Sequence, residues 1–223
     1  MKRLECLIAA SLMLLGCRAA DDPAAVAELA ALGAVLEKDA QGCVTKVTCN
    51  AADFEKADTL NRVLARLEKL PSLNTLILKG APLNEAGCQN LAHLTGLTEL
   101  DVSDSSLPPE GLLYLSRLRH LQRLDLTRTS ADDFGIEHLL AIDGLKVLKV
   151  TATRITDESL RHIGQMRQLE ELFLSHTRIT DKGLGQLDNL ANLKRISIFK
   201  TDVSPAAVIM LRRILPNAEI IRN

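Results

Sequence analysis

Apolar positions along this chain fall into one repeating register. From Leu73 onward the pattern Leu-x-x-Leu-x-Leu returns every 24 residues without a slip. It reads Leu73/Leu76/Leu78, Leu97/Leu100/Val102, Leu121/Leu124/Leu126, Leu145/Leu148/Val150, Leu169/Leu172/Leu174 and Leu193/Ile196/Ile198. Alternation within each run is the period of a strand with one buried face. Further along each unit, apolar residues recur at helical spacing, as in Leu184/Leu187/Leu190 and Ile136/Leu139/Ile142. One strand-turn-helix-turn unit buries nothing by itself, so a strict period of this length predicts stacked units that share a continuous core.

The turns and helix starts repeat too. Eight residues after the first apolar position stands a small residue, hydroxylic in five of six units: Ala81, Ser105, Thr129, Thr153, Thr177 and Thr201. A buried hydroxyl there can bond the backbone of the turn leaving the strand, where unpaired peptide groups are costly. Two positions on comes an apolar residue (Leu83, Leu107, Ala131, Ile155, Ile179, Val203), followed by a helix-start signal. Thr156-Asp157 and Thr180-Asp181 put a hydroxyl cap before an acid, and Pro109 and Pro205 suit a first helical turn.

The identical stretches Thr153-Arg154-Ile155-Thr156-Asp157 and Thr177-Arg178-Ile179-Thr180-Asp181, the second continuing to Gly183-Leu184, resemble the T-x-I-T-D-x-G-L class of leucine-rich repeats. They are similar to the cysteine-containing subtype, with leucine where that subtype has cysteine. The resemblance covers Leu73 to Pro216. It implies an α/β fold: a right-handed solenoid with a parallel sheet on the concave side and helices on the convex side. It also implies a binding module, and it carries no catalytic residues to transfer. Pro108-Pro109, Asp132-Asp133-Phe134 and Ser204-Pro205 depart from the pattern, which leaves the helix starts of those units open.

Both ends read as caps. Asn217–Ile220 begins a further register, so residues 217–223 are expected to form a last short strand after six repeats spanning 73–216. Upstream, Val44/Val47/Cys49 keeps the strand spacing but stands 29 residues before Leu73, which predicts a five-residue insertion near Asn50–Asp58. The helix of that unit should run from about Asp58 to Lys69. Asp22-Pro23 opens an earlier helix that Gly33 can close, and Ala34–Asp39 and Cys43–Cys49 read as two strands. A helix and hairpin over residues 23–72, with the first irregular repeat, would shield the solenoid's open edge.

The first residues read as an address. Lys2-Arg3 form a positive n-region, and Cys6–Leu15 is an apolar run too short to span a bilayer. Leu14-Leu15-Gly16-Cys17 resembles a bacterial lipobox, which implies a signal peptide over 1–16, lipidation of Cys17 and a tether over 17–22. An ordinary signal peptide and a buried apolar helix are the competing readings. The resemblance implies the cell envelope, lipid-anchored at the outer membrane in a Gram-negative host, because Arg18 rather than an acid follows the cysteine.

Composition narrows the function. The full chain carries a formal charge of −1, and losing Lys2, Arg3 and Glu5 makes it slightly more acidic, so it lacks the basic footprint of a nucleic-acid binder. With four Phe, one Tyr and no Trp, stacking platforms are not expected. Beyond the leader, Cys43, Cys49 and Cys88 make an odd set after Cys17. Cys49 and Cys88 fall in core slots as small apolar residues, although a bridge between them in an oxidising compartment is the alternative.

The chain has no G-x-S-x-G, Gly-rich phosphate loop, H-E-x-x-H or Cys-x-x-Cys, so neither an enzyme nor a cofactor is expected. His138 and His162 share a position in successive units, one unit after Tyr114, but no third ligand is in register for zinc. Strand alternation instead points to the concave face, exposing Thr75/Ile77/Lys79, Glu99/Asp101/Ser103, Arg123/Asp125/Thr127, Val147/Lys149/Thr151, Glu171/Phe173/Ser175 and Arg195/Ser197/Phe199. Glu99, Asp101 and Asp125 cluster toward its N-terminal half. Phe173 and Phe199 lie two positions apart in register, with His176 and Lys200 in the following turns and Lys149, Glu171 and Arg195 beside them. This set is the candidate anchor for a protein partner; the competing reading has Phe199 covering the C-terminal edge. The chain is expected to be a monomeric, envelope-tethered protein-binding or scaffold module. The alternative is a structural envelope protein without a defined partner.

Overall fold

A computed structural model describes residues 20–50, 57–108 and 110–222. The expected signal peptide, Cys17, most of the insertion and Pro109 lie outside the described residues. Nine strands form one sheet in strict chain order: β1 (Val35–Lys38), β2 (Val44–Asn50), β3 (Thr75–Lys79), β4 (Glu99–Asp101), β5 (Arg123–Asp125), β6 (Val147–Lys149), β7 (Glu171–Phe173), β8 (Arg195–Ser197) and β9 (Glu219–Ile221). β1 and β2 form the antiparallel hairpin, and every later pair is parallel with Leu76, Leu100, Leu124, Leu148, Leu172, Ile196 and Ile220 in one row. Successive parallel neighbours joined by helical crossovers make the solenoid that the period predicts, with the right-handed connection such crossovers take and the resemblance implies.

The helices cover the other side. Among the described residues they are α1 (Pro23–Ala31), α2 (Ala57–Leu67), α3 (Glu85–Leu91), α4 (Gly111–Leu115), α5 (Asp133–His138), α6 (Asp157–Ile163), α7 (Asp181–Leu184) and α8 (Pro205–Ile214). Two are shorter than a full helical reading would give, because Leu139–Ala141 and Gly185–Leu187 continue α5 and α7 as 3₁₀ turns. The apolar residues there recur at a spacing of three, Ile136/Leu139/Ile142 and Leu184/Leu187/Leu190, which is the 3₁₀ period rather than the α period. One apolar cluster runs from Leu29 to Leu215 and includes Leu76, Leu124, Leu172 and Ile196, each almost fully buried. Burying each such side chain contributes about 1.5–3 kcal/mol.

Three ladders of hydrogen bonds recur along the stack, one within each unit and two between units. In the first, the repeated hydroxyls bond the strand end of their own unit: Thr129 Oγ1 donates to Leu126 O at 2.7 Å, Thr153 to Val150 O at 2.7 Å and Thr201 to Ile198 O at 2.8 Å. Ala81 has no hydroxyl, and Ser105 of the next unit supplies it, donating to Leu78 O at 2.9 Å.

In the second ladder, Gly80, Asp104, Arg128, Ala152, His176 and Lys200 all have positive φ, between 53° and 72°. Each of the first five donates its N–H one unit ahead, as Ala152 does to Ser175 O at 2.9 Å. Only the first is glycine, so the fold holds L-residues in a region that costs them about 1–2 kcal/mol.

The third ladder joins the helix starts. The Asp133 carboxylate accepts from Thr156 N and Oγ1 at 2.8 and 2.7 Å, Asp157 does the same for Thr180 at 2.8 and 2.7 Å, and Asp181 for Ser204 at 2.6 and 2.7 Å. These acids do more than favour the helix dipole: each ties the cap of the next unit. Asp133 also takes Ser159 N at 3.1 Å and the Ser159 hydroxyl. The departures at Asp132-Asp133-Phe134 and Ser204-Pro205 therefore hold ordinary helix starts, with Asp132 Oδ1 accepting Gly135 N at 3.0 Å and Ser204 Oγ accepting Ala207 N at 3.2 Å.

Candidate functional site: the concave sheet face

Alternation along the short strands builds the concave face in rows. In the first row Glu99, Arg123, Val147, Glu171, Arg195 and Glu219 stand side by side. Glu99 pairs with Arg123 at 3.8 Å, and Arg195 lies between Glu171 at 3.3 Å and Glu219 at 3.1 Å. Val147 sits among these long side chains and is only 4% exposed, which corrects its reading as a surface position.

The second row is Ile77, Asp101, Asp125, Lys149, Phe173 and Ser197. Asp101 accepts the Ser103 N–H at 2.8 Å and Asp125 the Thr127 N–H at 2.9 Å, while Lys149 pairs with Asp125 at 3.0 Å. The acids of the N-terminal half are thus no open acidic patch; two of the three have a cation beside them. The depression between these rows, lined by Glu99, Asp101, Arg123, Asp125, Val147 and Lys149, holds about 30 Å³. That is the scale of a single water, not of a small-molecule pocket.

Phe173 and Phe199 occupy separate places. Phe173 is half-buried with the Lys149 ammonium 5.9 Å from its ring centre. Phe199 is 37% exposed, with the His176 ring edge-on at 5.5 Å and the Lys200 ammonium at 5.3 Å. Between them Ser175 and Ser197 share a hydrogen bond of 2.6 Å, and Ser175 Oγ accepts the Phe199 N–H at 3.1 Å. The candidate set is therefore three groups: the Glu171–Arg195 pair, Phe173 beneath Lys149, and Phe199 with His176 and Lys200. His176 and Lys200 stand in the turns after their strands, where the sequence placed them, and what the structure adds is their positive φ.

Charge divides this turn row. Asp104 lies between Lys79 at 3.8 Å and Arg128 at 2.7 Å, and its hydrogen bond from the Arg128 guanidinium is the main cause holding its carboxyl below the ordinary 3.8. Among the described residues, His176 and Lys200 make no ion pair, so the C-terminal half keeps uncompensated donors around an exposed aromatic ring.

Elsewhere the sequence-level candidates separate. His138 meets Phe134 edge-on at 4.9 Å and His162 lies 3.8 Å from Glu158. Tyr114 donates to Glu85 at 2.6 Å. Among the described residues no group of three metal-ligating side chains forms. Cys49 and Cys88 are buried and no disulfide joins them. Burial, with Glu85 nearby, pushes the Cys88 thiol up to about 12, so it stays protonated and unreactive. No helix among the described residues is long and apolar enough to cross a membrane.

Residues 165–187 match a family model described as a leucine-rich repeat. An internalin from Listeria monocytogenes is similar in fold, with a TM-score of 0.50 at 14% identity over 70% of this chain and 49% of that one. A leucine-rich-repeat protein of Leptospira interrogans aligns with a TM-score of 0.45 at 22% identity, over 70% and 50% of the two chains. The chain spans about half the length of these structures. No curated protein matches it.

Proposed function

We propose that this chain is a non-enzymatic protein-binding module, held at a bacterial cell envelope by lipid on Cys17, and that it binds a protein partner through the C-terminal half of its concave face. The leucine-rich-repeat fold commonly serves protein–protein interaction, and solenoids present extended concave surfaces for it. The observation that carries the reading is Phe199, 37% exposed and flanked by His176 and Lys200. An aromatic ring beside unpaired donors is the composition of an interface anchor. Phe173 and Lys149 extend the patch, and the Glu171–Arg195 pair rims it. Nucleic acid is no part of this reading, the module acts as a monomer, and several acyl chains on Cys17 would give firm anchoring.

A second reading, a structural envelope protein without a defined partner, is favoured by the ion pairs Glu99–Arg123 and Asp125–Lys149, which satisfy much of the concave face internally. A pull-down from envelope extracts separates the two. The wild-type chain should recover a specific partner that the Phe173→Ala/Phe199→Ala double variant does not. Equal recovery by both would remove the aromatic site, and recovery of nothing specific by either would leave the structural reading. In the same cells Cys17→Ser should move the protein from the membrane to the soluble fraction, and unchanged partitioning would overturn the lipid anchor.

A further inference from the structure

We propose that the rim where helices end and strands begin docks on an anionic lipid bilayer, laying the solenoid side-on against the membrane that holds it. The rim is made by residues 117–122, 141–146, 165–170 and 189–194, each leading from the end of a helix into the next strand. These stretches carry Arg117, Arg119, Lys146, Arg167 and Lys194 against only Asp143 and Glu170, on a chain whose formal charge is −1. The opposite rim of the same repeats, residues 104–110, 128–134, 152–158 and 176–182, carries seven carboxylates against four Lys and Arg. The stack is therefore polarised from one rim to the other, and only the first is attracted to negative charge.

All five cations are exposed. Lys146 and Lys194 share the Glu170 carboxylate, at 3.9 Å for Lys146, which leaves one positive charge on the three. Arg119 uses part of its guanidinium on Ala141 O, and the side chains of Arg117 and Arg167 have no partner among the described residues. Cations at helix C-termini favour the helix dipole, but that effect fades within the last turn. Arg119 and Arg167 stand four residues beyond α4 and α6, and Lys146 and Lys194 directly precede strands.

The chain also enters the fold at this rim. Asp22 N–H donates to Lys69 O at 3.1 Å, just past the end of α2, and the Asp21 carboxylate accepts Val44 N–H at 2.6 Å, at the start of β2. Only four residues separate Asp21 from Cys17, a reach of at most about 14 Å. The lipid on Cys17, on whose proposal above this step rests, thus keeps the rim close to a bilayer surface. Attraction to an anionic surface fades over a Debye length, about 10 Å at 0.1 M salt, so the side facing the lipid decides whether it acts. With strands about 4.8 Å apart, the stretches from Arg117 to Lys194 span about 15 Å along the stack and can meet one flat surface together. The tether is what favours lipid over an acidic protein as the occupant.

The chain has no Trp, so Gln168→Trp puts a single reporter on this rim and Lys182→Trp one on the opposite rim, both at exposed positions. The lipidated chain is reconstituted into vesicles with brominated acyl chains, made of phosphatidylcholine alone or mixed with phosphatidylglycerol, and bromine quenches the Trp it meets. Quenching in the Gln168→Trp chain should rise about twofold or more when phosphatidylglycerol is present. It should return to the level in phosphatidylcholine at about 1 M salt, where the Debye length is about 3 Å. Adding Arg117→Glu/Arg167→Glu should have the same effect with unchanged thermal unfolding, since both side chains are exposed and unpartnered. The Lys182→Trp chain should respond to neither lipid. Flotation with phosphatidylcholine vesicles reads the anchor separately. A chain that floats with them, yet quenches equally in both lipids at Gln168→Trp, keeps its anchor and overturns this proposal. A chain that floats only with phosphatidylglycerol loses the anchor and keeps the rim. Binding of soluble polyglutamate that Arg117→Glu/Arg167→Glu abolishes, with no quenching in either vesicle, would also overturn it and make the occupant an acidic protein.

Discussion

Leu172 and Phe173 are neighbours in the chain and point to opposite sides of β7. Leu172 is fully buried in the shared core, so Leu172→Ala should cost about 2–5 kcal/mol through the cavity it leaves. Phe173 is half-buried beneath Lys149, so Phe173→Ala should cost markedly less while weakening a concave-face partner by about 1 kcal/mol or more. Urea unfolding of the two variants checks the first difference and a binding titration the second. A Phe173 variant as unstable as the Leu172 variant would show a structural ring. The turn row offers a second residue-scale test. Ala152 holds φ 55° with no charge or ring to anchor there, unlike Asp104 or His176. Ala152→Gly relieves that conformation and should stabilise the chain by about 0.5–1 kcal/mol, measured by the denaturation midpoint. A loss of stability instead would mean that the methyl packs more than its backbone strains.

Among the elements, the helix starts are the joints of the structure. Burial alone would raise the Asp133 carboxyl, but the hydrogen bonds from Ser159 and Thr156 overcome it and hold the group below the ordinary 3.8. A depressed folded value means stability that is present above the unfolded value and lost as pH falls through the folded one. The stability difference between wild type and Asp133→Asn should therefore narrow as pH drops below about 4, where the carboxylate of the unfolded chain begins to protonate, and be lost as pH falls through the lower folded value. A gap of equal size at neutral and acid pH would remove Asp133 as the joint. The same joint constrains glycine: a Cβ at Gly183 would stand 2.2 Å from Asp157 Oδ1. At the equivalent place one unit earlier, Ser159 is accommodated because its hydroxyl donates to Asp133.

At the scale of the molecule, the repeat makes a prediction that few folds allow. Deleting Leu145 to Gln168 removes one whole 24-residue unit and joins β5 to β7 in matching register. The product should stay folded as a shorter, less stable solenoid, because stability here is a sum over units and their interfaces. Deleting half as many residues sets a strand slot against a helix slot and should unfold it. Circular dichroism with thermal melts reads both. Equal unfolding of the two would mean that the register does not carry the stacking.

The repeat, the strand rows and the buried leucines were legible in the sequence because each depends on local periodicity, and a period of 24 repeats the same local solution. Helix starts were legible as caps, since a side chain reaching the next turn is a local event. What Asp133, Asp157 and Asp181 bond was not legible: their partners stand a full unit away, and only stacking brings them within hydrogen-bond reach. Positive φ at Arg128 and Ala152 was hidden because those residues favour no such conformation, and the inter-unit N–H bonds impose it. The face of the site follows the same division. Strand alternation by itself determined that Phe173 and Phe199 project from the sheet. Tertiary structure decided that Val147 is covered, that the acids are bonded and that the two rings stand in separate groups, because burial and pairing are properties of neighbours rather than of the chain.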